Sequence, residues 1–170
     1  TRLVVIAHLY GAIIDMQPVA DILSHYSDIL LIEDCAQAFS GVNGYKGHAR
    51  SDLLMYSFGT IKTATAFGGG VLLLNDKALY SQLSLIHNSW PVMPRIDYAK
   101  KLIKGLVLKM ASIRVLLQLF IGCCALAGKK ADNVVLNLFR GFQGDDFFRL
   151  IRRQPCLPLL AMLHRRLKQF

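Results

Sequence analysis

The sequence lacks the residue patterns that indicate disulfide or metal chemistry. Its four cysteines form no CxxC pair, and the adjacent Cys123 and Cys124 cannot readily bridge each other. We therefore predict free thiols and a reducing compartment. The histidines are scattered, and none has metal-ligand spacing with a cysteine or carboxylate on one helix face, so no metal site is predicted. These histidines are His8, His25, His48, His87 and His164.

Signals for nucleic acid, secretion and membrane spanning are also missing. No RNP, zinc-finger or Walker pattern is present, which argues against nucleic acid as a partner. No signal peptide precedes the first apolar run, so a cytoplasmic location is expected. The most apolar stretch follows Arg114, is interrupted by Gln118 and stops before Lys129. It is therefore shorter than the roughly 20 residues of a membrane-spanning helix.

Acidic residues are scarce in the second half of the chain. Residues 1–90 carry five Lys and Arg against seven Asp and Glu, whereas residues 91–170 carry fifteen against four. A basic half of this kind suits an anionic partner, such as a membrane surface. We therefore divide the chain near residue 90, with a basic, helical region over residues 91–170 whose role the sequence leaves open.

Apolar runs and helical spacing alternate in the first half. Residues 3–9 form a continuous apolar run, which predicts a strand buried on both faces. Further strands are predicted within ILLIED (29–34), SDLLMYSF (51–58) and GGGVLLLND (68–76). Helical spacing occurs over 15–28, with Asp15 as a cap and Pro18 early, and over 77–90. This order predicts an α/β fold with a mixed, mostly parallel sheet, in which ligands bind beyond the carboxyl ends of the strands.

Residues 98–127 predict one long helix or a helical hairpin. Lys100, Lys101, Lys104 and Arg114 fall on one side of its helical wheel. Such a basic, apolar helix packs on a partner domain or subunit, or it lies in a membrane interface. The sequence leaves both alternatives open.

The stretch YSFGTIKTATAFGGG (56–70) places a single lysine, Lys62, among small, hydroxyl and apolar residues. A lone lysine in a loop is usually a solvated charge, so Lys62 by itself does not indicate chemistry. Asp34 at a strand end, Gln37 three residues later and Ser57 could converge with it at one edge of the sheet. A carboxylate for a ring nitrogen, an amide for a phenolic oxygen, a hydroxyl for a phosphate and an amine for a Schiff base together suit pyridoxal phosphate.

Three ordered segments extend this interpretation: HLYGAIIDM (8–16), LLIEDCAQAFSG (30–41) and YSFGTIKTATAFGGGVLLLND (56–76). They resemble the DegT/DnrJ/EryC1/StrS family of pyridoxal-phosphate-dependent sugar aminotransferases over about residues 3–76. The resemblance implies a partial aspartate-aminotransferase-like (fold type I) large domain over residues 1–90. It also implies transamination of a keto-sugar or nucleotide sugar by an amino donor, in a protein that is a homodimer at full length.

The resemblance assigns roles to four residues. Lys62 would form the Schiff base and shuttle the proton, and Asp34 would pair with the pyridinium nitrogen. Gln37 would contact the cofactor ring or its phenolic oxygen, and Ser57 would bind the phosphate. One departure concerns Gly68, which stands where the family usually has an acidic residue.

The chain is expected to be a fragment. It begins with Thr1 rather than Met and enters an apolar strand almost at once. Its few strands predict exposed sheet edges and apolar faces. We therefore expect these 170 residues alone to bind cofactor poorly. The alternative function is a non-catalytic aminotransferase-like protein that binds a membrane surface or a protein partner through its basic helices.

Overall fold

A computed structural model of the chain describes residues 1–111, 113–126, 128, 148 and 151–170. The predicted strands and helices of the first half are present, each shorter than the run that predicted it. In chain order the elements are β1 (Leu3–Ala7), α1 (Gln17–Leu23), β2 (Leu30–Asp34), β3 (Leu53–Ser57), β4 (Gly70–Leu74), α2 (Lys77–Asn88), α3 (Arg95–Ala111), α4 (Arg114–Leu126) and α5 (Leu157–Gln169).

The four strands form one sheet in the order β1-β2-β3-β4. The first three strands run parallel, and β4 pairs antiparallel to β3. The predicted mixed, mostly parallel sheet is therefore confirmed. Its pairing register places Ala7 beside Asp34, and Ser57 beside Gly70. The ends of β1, β2 and β3 and the start of β4 thus share one edge of the sheet.

Helix α1 covers one face of β1 and β2. Met16, Leu23 and Leu31 are buried together, with Val4 and Ile6 packed against them. Pro18 lies in the first turn of α1, where its missing N–H leaves no bond unmade. The predicted cap is displaced by one residue, because the N-cap is Met16 and Asp15 Oδ1 accepts from the backbone N of Gln17 at 3.0 Å.

The prediction that β1 is buried on both faces is wrong. Leu3 is 47% exposed and Val5 is 54% exposed, whereas Val4 and Ile6 between them face α1. Successive side chains of a strand point to opposite faces, and only one face of this strand is covered among the described residues. The expected exposure of apolar sheet surface is therefore observed, and it continues on β4 at Leu72 and Leu73.

Of the two alternatives predicted for residues 98–127, one long helix or a helical hairpin, the described part of this range contains two helices. Helix α3 begins earlier than predicted, at Arg95, and α4 begins at Arg114, which separates Arg114 from the lysines of α3. Arg153 Nη1 donates to Asp97 Oδ2 at 2.8 Å and joins α3 to the segment that precedes α5. Among the helices that the structure describes, none is both long and apolar enough to cross a membrane.

The contacts group the chain into two compact units. One contains Thr1–Ser89 together with Leu157–Phe170, and the other contains Trp90–Cys156. Helix α5 therefore packs within the first unit, where Leu159 is 1% exposed. The division of the chain into an aminotransferase-like domain and a basic region of separate role stays a prediction. All four cysteines are free thiols.

Substitutions at two adjacent leucines of β2 test this packing. Leu31 is fully buried, and Leu30 is 43% exposed on the opposite face. Leu31→Ala should lower the free energy of unfolding by about 2–5 kcal/mol, because it leaves a cavity against α1. Leu30→Ala is the matched control and should cost much less. Urea unfolding measures both, and equal losses would contradict the assignment of the two faces.

Candidate functional site

A cavity of about 470 Å³ opens at the edge of the sheet where β2 and β3 end. Residues from three loops line it, and three of the four predicted site residues are among them. The lining residues are Tyr10, Gly11, Ala36, Gln37, Ala38, Phe39, Ser40, Ser57, Ile61, Lys62, Thr63 and Ala64. The structure therefore brings Gln37, Ser57 and Lys62 together, as the sequence predicted.

Lys62 lies on the connection between β3 and β4, which we call the lysine loop (residues 59–68). The backbone of Phe58 closes its base, since Phe58 N donates to Gly69 O at 3.0 Å. Phe58 O in turn accepts from the N–H groups of Ala66 and Gly68, both at 3.0 Å. Phe58 itself is fully buried. The half-buried Lys62 is thus carried by a loop whose base is fixed in the core.

Gln37 lies on the segment that follows β2. Its Oε1 accepts a hydrogen bond from the backbone N of Tyr10 at 3.2 Å. Because a backbone N–H is a donor, the atom that meets it is the amide oxygen, and the Nε2 group of Gln37 remains the donor to a ligand. This agrees with the predicted contact to a phenolic oxygen, although the role itself stays a prediction.

Tyr10 was not predicted as a site residue. It is 92% exposed and has a φ of +55°, a conformation that non-glycine residues seldom adopt. Gly11, with a φ of +81°, follows it in the turn. The glycine after "HLY" marked the turn in the sequence, but nothing in the local pattern indicated that this turn faces the lysine loop.

Asp34 is the predicted site residue that does not line the cavity. It ends β2, and its Oδ1 accepts from the backbone N of Ala36 at 2.9 Å. This contact orders the start of the segment that carries Gln37. Asp34 therefore lies at the predicted edge, and its role toward a ring nitrogen stays a prediction.

The preceding residue, Glu33, was not predicted and is fully buried. Its Oε2 accepts from the hydroxyl of Tyr45 at 2.6 Å and lies 2.7 Å from Nε2 of His8. Its Oε1 accepts from the backbone N of His48 at 2.8 Å and from the hydroxyl of Ser51. Four donors, one after the end of β1 and three on the connection between β2 and β3, thus converge on one carboxylate.

The tautomer of His8 follows from its partners. Its Nδ1 accepts a hydrogen bond from the backbone N of Ile14 at 3.1 Å, so the proton resides on Nε2 and points to Glu33. His8 therefore links the carboxylate to the turn that carries Tyr10 and Gly11.

These contacts shift three pKa values. Burial alone would raise the pKa of Glu33, but the hydrogen bonds from Ser51, Tyr45, the His48 backbone and His8 outweigh it and hold the pKa below its usual value. Burial, followed by the negative charges of Glu33 and Asp34, raises the pKa of the Cys35 thiol to about 12. Burial and the Glu33 carboxylate also raise the pKa of Tyr45 above its usual value.

His8, Glu33 and Cys35 form a buried group whose ligand atoms lie within 4.8 Å of one another. Such a group could hold a metal ion in principle. Both oxygens of Glu33 are already engaged by donors, and both ring nitrogens of His8 are hydrogen-bonded as well. A metal needs deprotonated ligands with open lone pairs, so this group suits a hydrogen-bond network instead.

Gly68, the departure from the family pattern, lies in the last turn of the lysine loop. Phe67 and Gly69 beside it have φ angles of +61° and +78°. Gly69 accommodates this left-handed backbone without strain, whereas Phe67 is a residue type that seldom adopts it.

The cavity combines three kinds of polar group. Ser40, Ser57 and Thr63 supply hydroxyls, Gln37 supplies an amide and Lys62 supplies an amine. Hydroxyl donors suit a phosphate, an amide donor suits a phenolate oxygen, and a half-buried amine suits a carbonyl carbon. Its size is that of a site for a small organic ligand. These donors fit pyridoxal phosphate.

Comparisons with known proteins agree with this chemistry. A model of the DegT/DnrJ/EryC1/StrS aminotransferase family matches residues 1–119. GDP-perosamine synthase of Escherichia coli O157:H7 is 36% identical over 85 residues, which are 48% of this chain and 22% of that protein. A dTDP-3-amino-3,6-dideoxy-alpha-D-galactopyranose transaminase of Aneurinibacillus thermoaerophilus is 34% identical over 90 residues, or 52% of this chain and 24% of that protein.

Among solved structures, the sugar aminotransferase CalS13 from Micromonospora echinospora is similar to this chain. It is 32% identical with a TM-score of 0.43, and the match covers 51% of this chain and 25% of that one. The chain therefore spans about a quarter of the length of the relatives it matches.

The pH dependence of stability tests the role of Glu33. Because the pKa of Glu33 is lowered in the folded state, the unfolded chain binds this proton more tightly. The contribution of Glu33 to the free energy of unfolding is therefore present above about pH 4.5 and is lost as the pH falls toward the folded-state pKa. Glu33→Gln should therefore flatten the decline in the free energy of unfolding below pH 4.5. It should also lower that free energy at pH 7, because buried donors lose their charged acceptor.

Asp28→Asn, at an exposed carboxylate of the same unit, is the matched control. Denaturant unfolding at a series of pH values measures both variants. An acid profile of Glu33→Gln that is as steep as that of the unaltered chain would contradict the assignment.

Proposed function

The chain belongs to the DegT/DnrJ/EryC1/StrS aminotransferase family, and from this premise we propose that it takes part in pyridoxal-phosphate-dependent transamination of a keto-sugar or nucleotide sugar. One observation carries the proposal. Gln37, Ser57 and Lys62, which come from separate segments, line the same cavity at the carboxyl ends of parallel strands. That edge is where α/β sheets bind their ligands.

In this proposal Lys62 holds the cofactor and moves protons. When bound, pyridoxal phosphate supplies a carbonyl that takes up an amino group and a ring that stores an electron pair. Within each half of the reaction, Nζ of Lys62 would take up a proton from one carbon atom and release it to another, so the amine would end each half in the protonation state in which it began. Lys62 lines the cavity, and the loop that carries it is closed at its base by the backbone of Phe58.

The remaining residues bind and orient. The hydroxyls of Ser57, Ser40 and Thr63 would hold the phosphate, and Nε2 of Gln37 would donate to the phenolic oxygen. Asp34, which ends β2 just before the segment that carries Gln37, would pair with the ring nitrogen. Its Oδ1 already accepts from the backbone N of Ala36 at 2.9 Å, and accepting a hydrogen bond is also what pairing with a ring N–H needs.

We also propose substrates and an oligomeric state for the full-length protein. The relatives named above are a GDP-perosamine synthase and an amino-sugar transaminase by name, and the matched stretch covers only 22% and 24% of their lengths. We propose an amino donor and a keto-sugar acceptor for the full-length protein, which would act as a homodimer. Its cytoplasmic location stays a prediction.

Trapping the cofactor on lysine tests the proposal directly. Incubation with pyridoxal phosphate, borohydride reduction and peptide mapping should label Lys62 at least tenfold more than the exposed Lys46, because only Lys62 lies in a cavity with phosphate donors. Reduction traps weakly bound cofactor as well. Lys62→Ala should abolish the labelled peptide, and Lys46→Ala should leave it intact. Equal labelling of Lys46 and Lys62 would contradict the proposal.

A second candidate function rests on α3. Its exposed apolar side chains follow helical spacing, and Lys100 and Lys104 lie at the border of this stripe. A helix of this kind lies in a membrane interface, with its apolar side in the acyl boundary and its lysines at anionic headgroups. The exposed apolar residues are Ile96, Ile103, Leu106, Val107 and Met110.

Vesicle binding tests this candidate. The chain should bind vesicles that contain phosphatidylserine and should release them at high salt. Replacing both Lys100 and Lys104 with Gln should weaken binding roughly 30-fold, at about 1 kcal/mol for each lysine near the surface. Replacing Lys46 and Lys77 with Gln removes the same charge elsewhere and is the control. Equal losses from the two double variants would reject an interface at α3.

A further inference from the structure

Helix α5 (Leu157–Gln169) lies outside the residues that the family model matches, which end at 119. It nevertheless belongs to the same compact unit as the candidate site. Two of its leucines, Leu159 and Leu163, are buried. The helix therefore packs into the first unit. Its contacts reach the segments on both sides of the cavity.

One contact joins α5 to the lysine loop. Arg166 Nε donates to the backbone oxygen of Thr65 at 3.0 Å, and Arg166 Nη1 donates to Oε1 of Gln169 at 3.1 Å. Thr65 also holds its own loop, because its Oγ1 accepts from the backbone N of Phe67 at 3.0 Å. A charged donor thus meets the loop three residues after Lys62, and charge-assisted hydrogen bonds are the stronger kind.

Two glycines show how closely α5 and the residue that follows it, Phe170, approach the site. A side chain at Gly69, where the loop returns to β4, would contact the δ carbons of Leu159 at 3.7 and 3.8 Å. A side chain at Gly41 would collide with the backbone oxygen of Phe170. Gly41 directly follows Ser40, which lines the cavity. Phe170 thus lies directly against the segment that carries Gln37 and Ser40.

We propose that α5 is a built part of the candidate site and that Arg166 is a positioning residue, which fixes the lysine loop through the Thr65 carbonyl. Arg166 is not among the cavity-lining residues, so it acts on Lys62 through the loop. Helix α5 then supports both the segment that carries Gln37 and Ser40 and the loop that carries Lys62. The link to cofactor binding rests on the proposed function, whereas the fixing of the loop does not.

Amide hydrogen exchange without cofactor tests whether Arg166 fixes the lysine loop. In Arg166→Ala, the amides of Lys62, Ala66 and Gly68 should exchange about tenfold faster or more, because the loop loses a charged donor. The amides of His8 and Cys35, which bond within the sheet region, should keep their rates. Arg165→Ala is the matched control, since Arg165 is adjacent, exposed and of the same charge. Arg166→Lys keeps a charged donor and should recover part of the protection.

Unchanged loop exchange in Arg166→Ala, or equal changes in Arg165→Ala, would overturn the proposal. Faster exchange at His8 and Cys35 to the same degree as in the loop would show a general loss of stability and would overturn it too.

Reductive labelling with pyridoxal phosphate then tests the link to the site. Lys62 labelling should fall several-fold in Arg166→Ala and stay unchanged in Arg165→Ala. A loosened loop with unchanged Lys62 labelling would overturn the positioning role. Absence of selective Lys62 labelling in the unaltered chain would contradict the proposed function instead, and the exchange result would still decide whether Arg166 fixes the loop.

Discussion

The buried carboxylate of Glu33 is the constraint on which the candidate site depends. An unpaired ion there would cost several kcal/mol, so the fold must bring donors to it. His8, Tyr45, His48 and Ser51 do so from the end of β1 and from the connection between β2 and β3. Two stretches of irregular backbone are thereby tied to the centre of the sheet. The turn that carries Tyr10 acquires its position through the tautomer that Glu33 imposes on His8.

Strand alternation separates this structural carboxylate from its neighbour. Glu33 faces the buried network, so the adjacent Asp34 must point to the other side of β2. One dipeptide therefore supplies both the anchor of the scaffold and a candidate site residue. A shift of β2 by one residue would exchange these roles, and it would bury the wrong carboxylate beside His8. The pairing of Asp34 with Ala7 and Met55 holds the register against such a shift.

Local sequence was sufficient for much of this arrangement. Apolar runs predicted the strands, and the position of Lys62, Ser57 and Gln37 just beyond strand ends predicted their convergence. The Glu33 network was missed because its donors lie 12 to 25 residues away in sequence and each looks like an ordinary loop residue. The exposed face of β1 was missed for a related reason. An apolar run records that both faces can be buried, but not which neighbours are present to bury them.

The lysine loop is held by contacts that are close in sequence and by one that is distant, and this division explains why the sequence did not indicate that α5 contacts the loop. Its base is closed by Phe58 and by the antiparallel pairing of Ser57 with Gly70, all within one hairpin. Its outer part meets Arg166 about a hundred residues later in the chain. A hairpin fixes the end of a loop that it closes, but the tip of a twelve-residue connection keeps conformational freedom unless something else holds it. A reactive amine needs a defined position, so the distal contact supplies what the hairpin alone cannot.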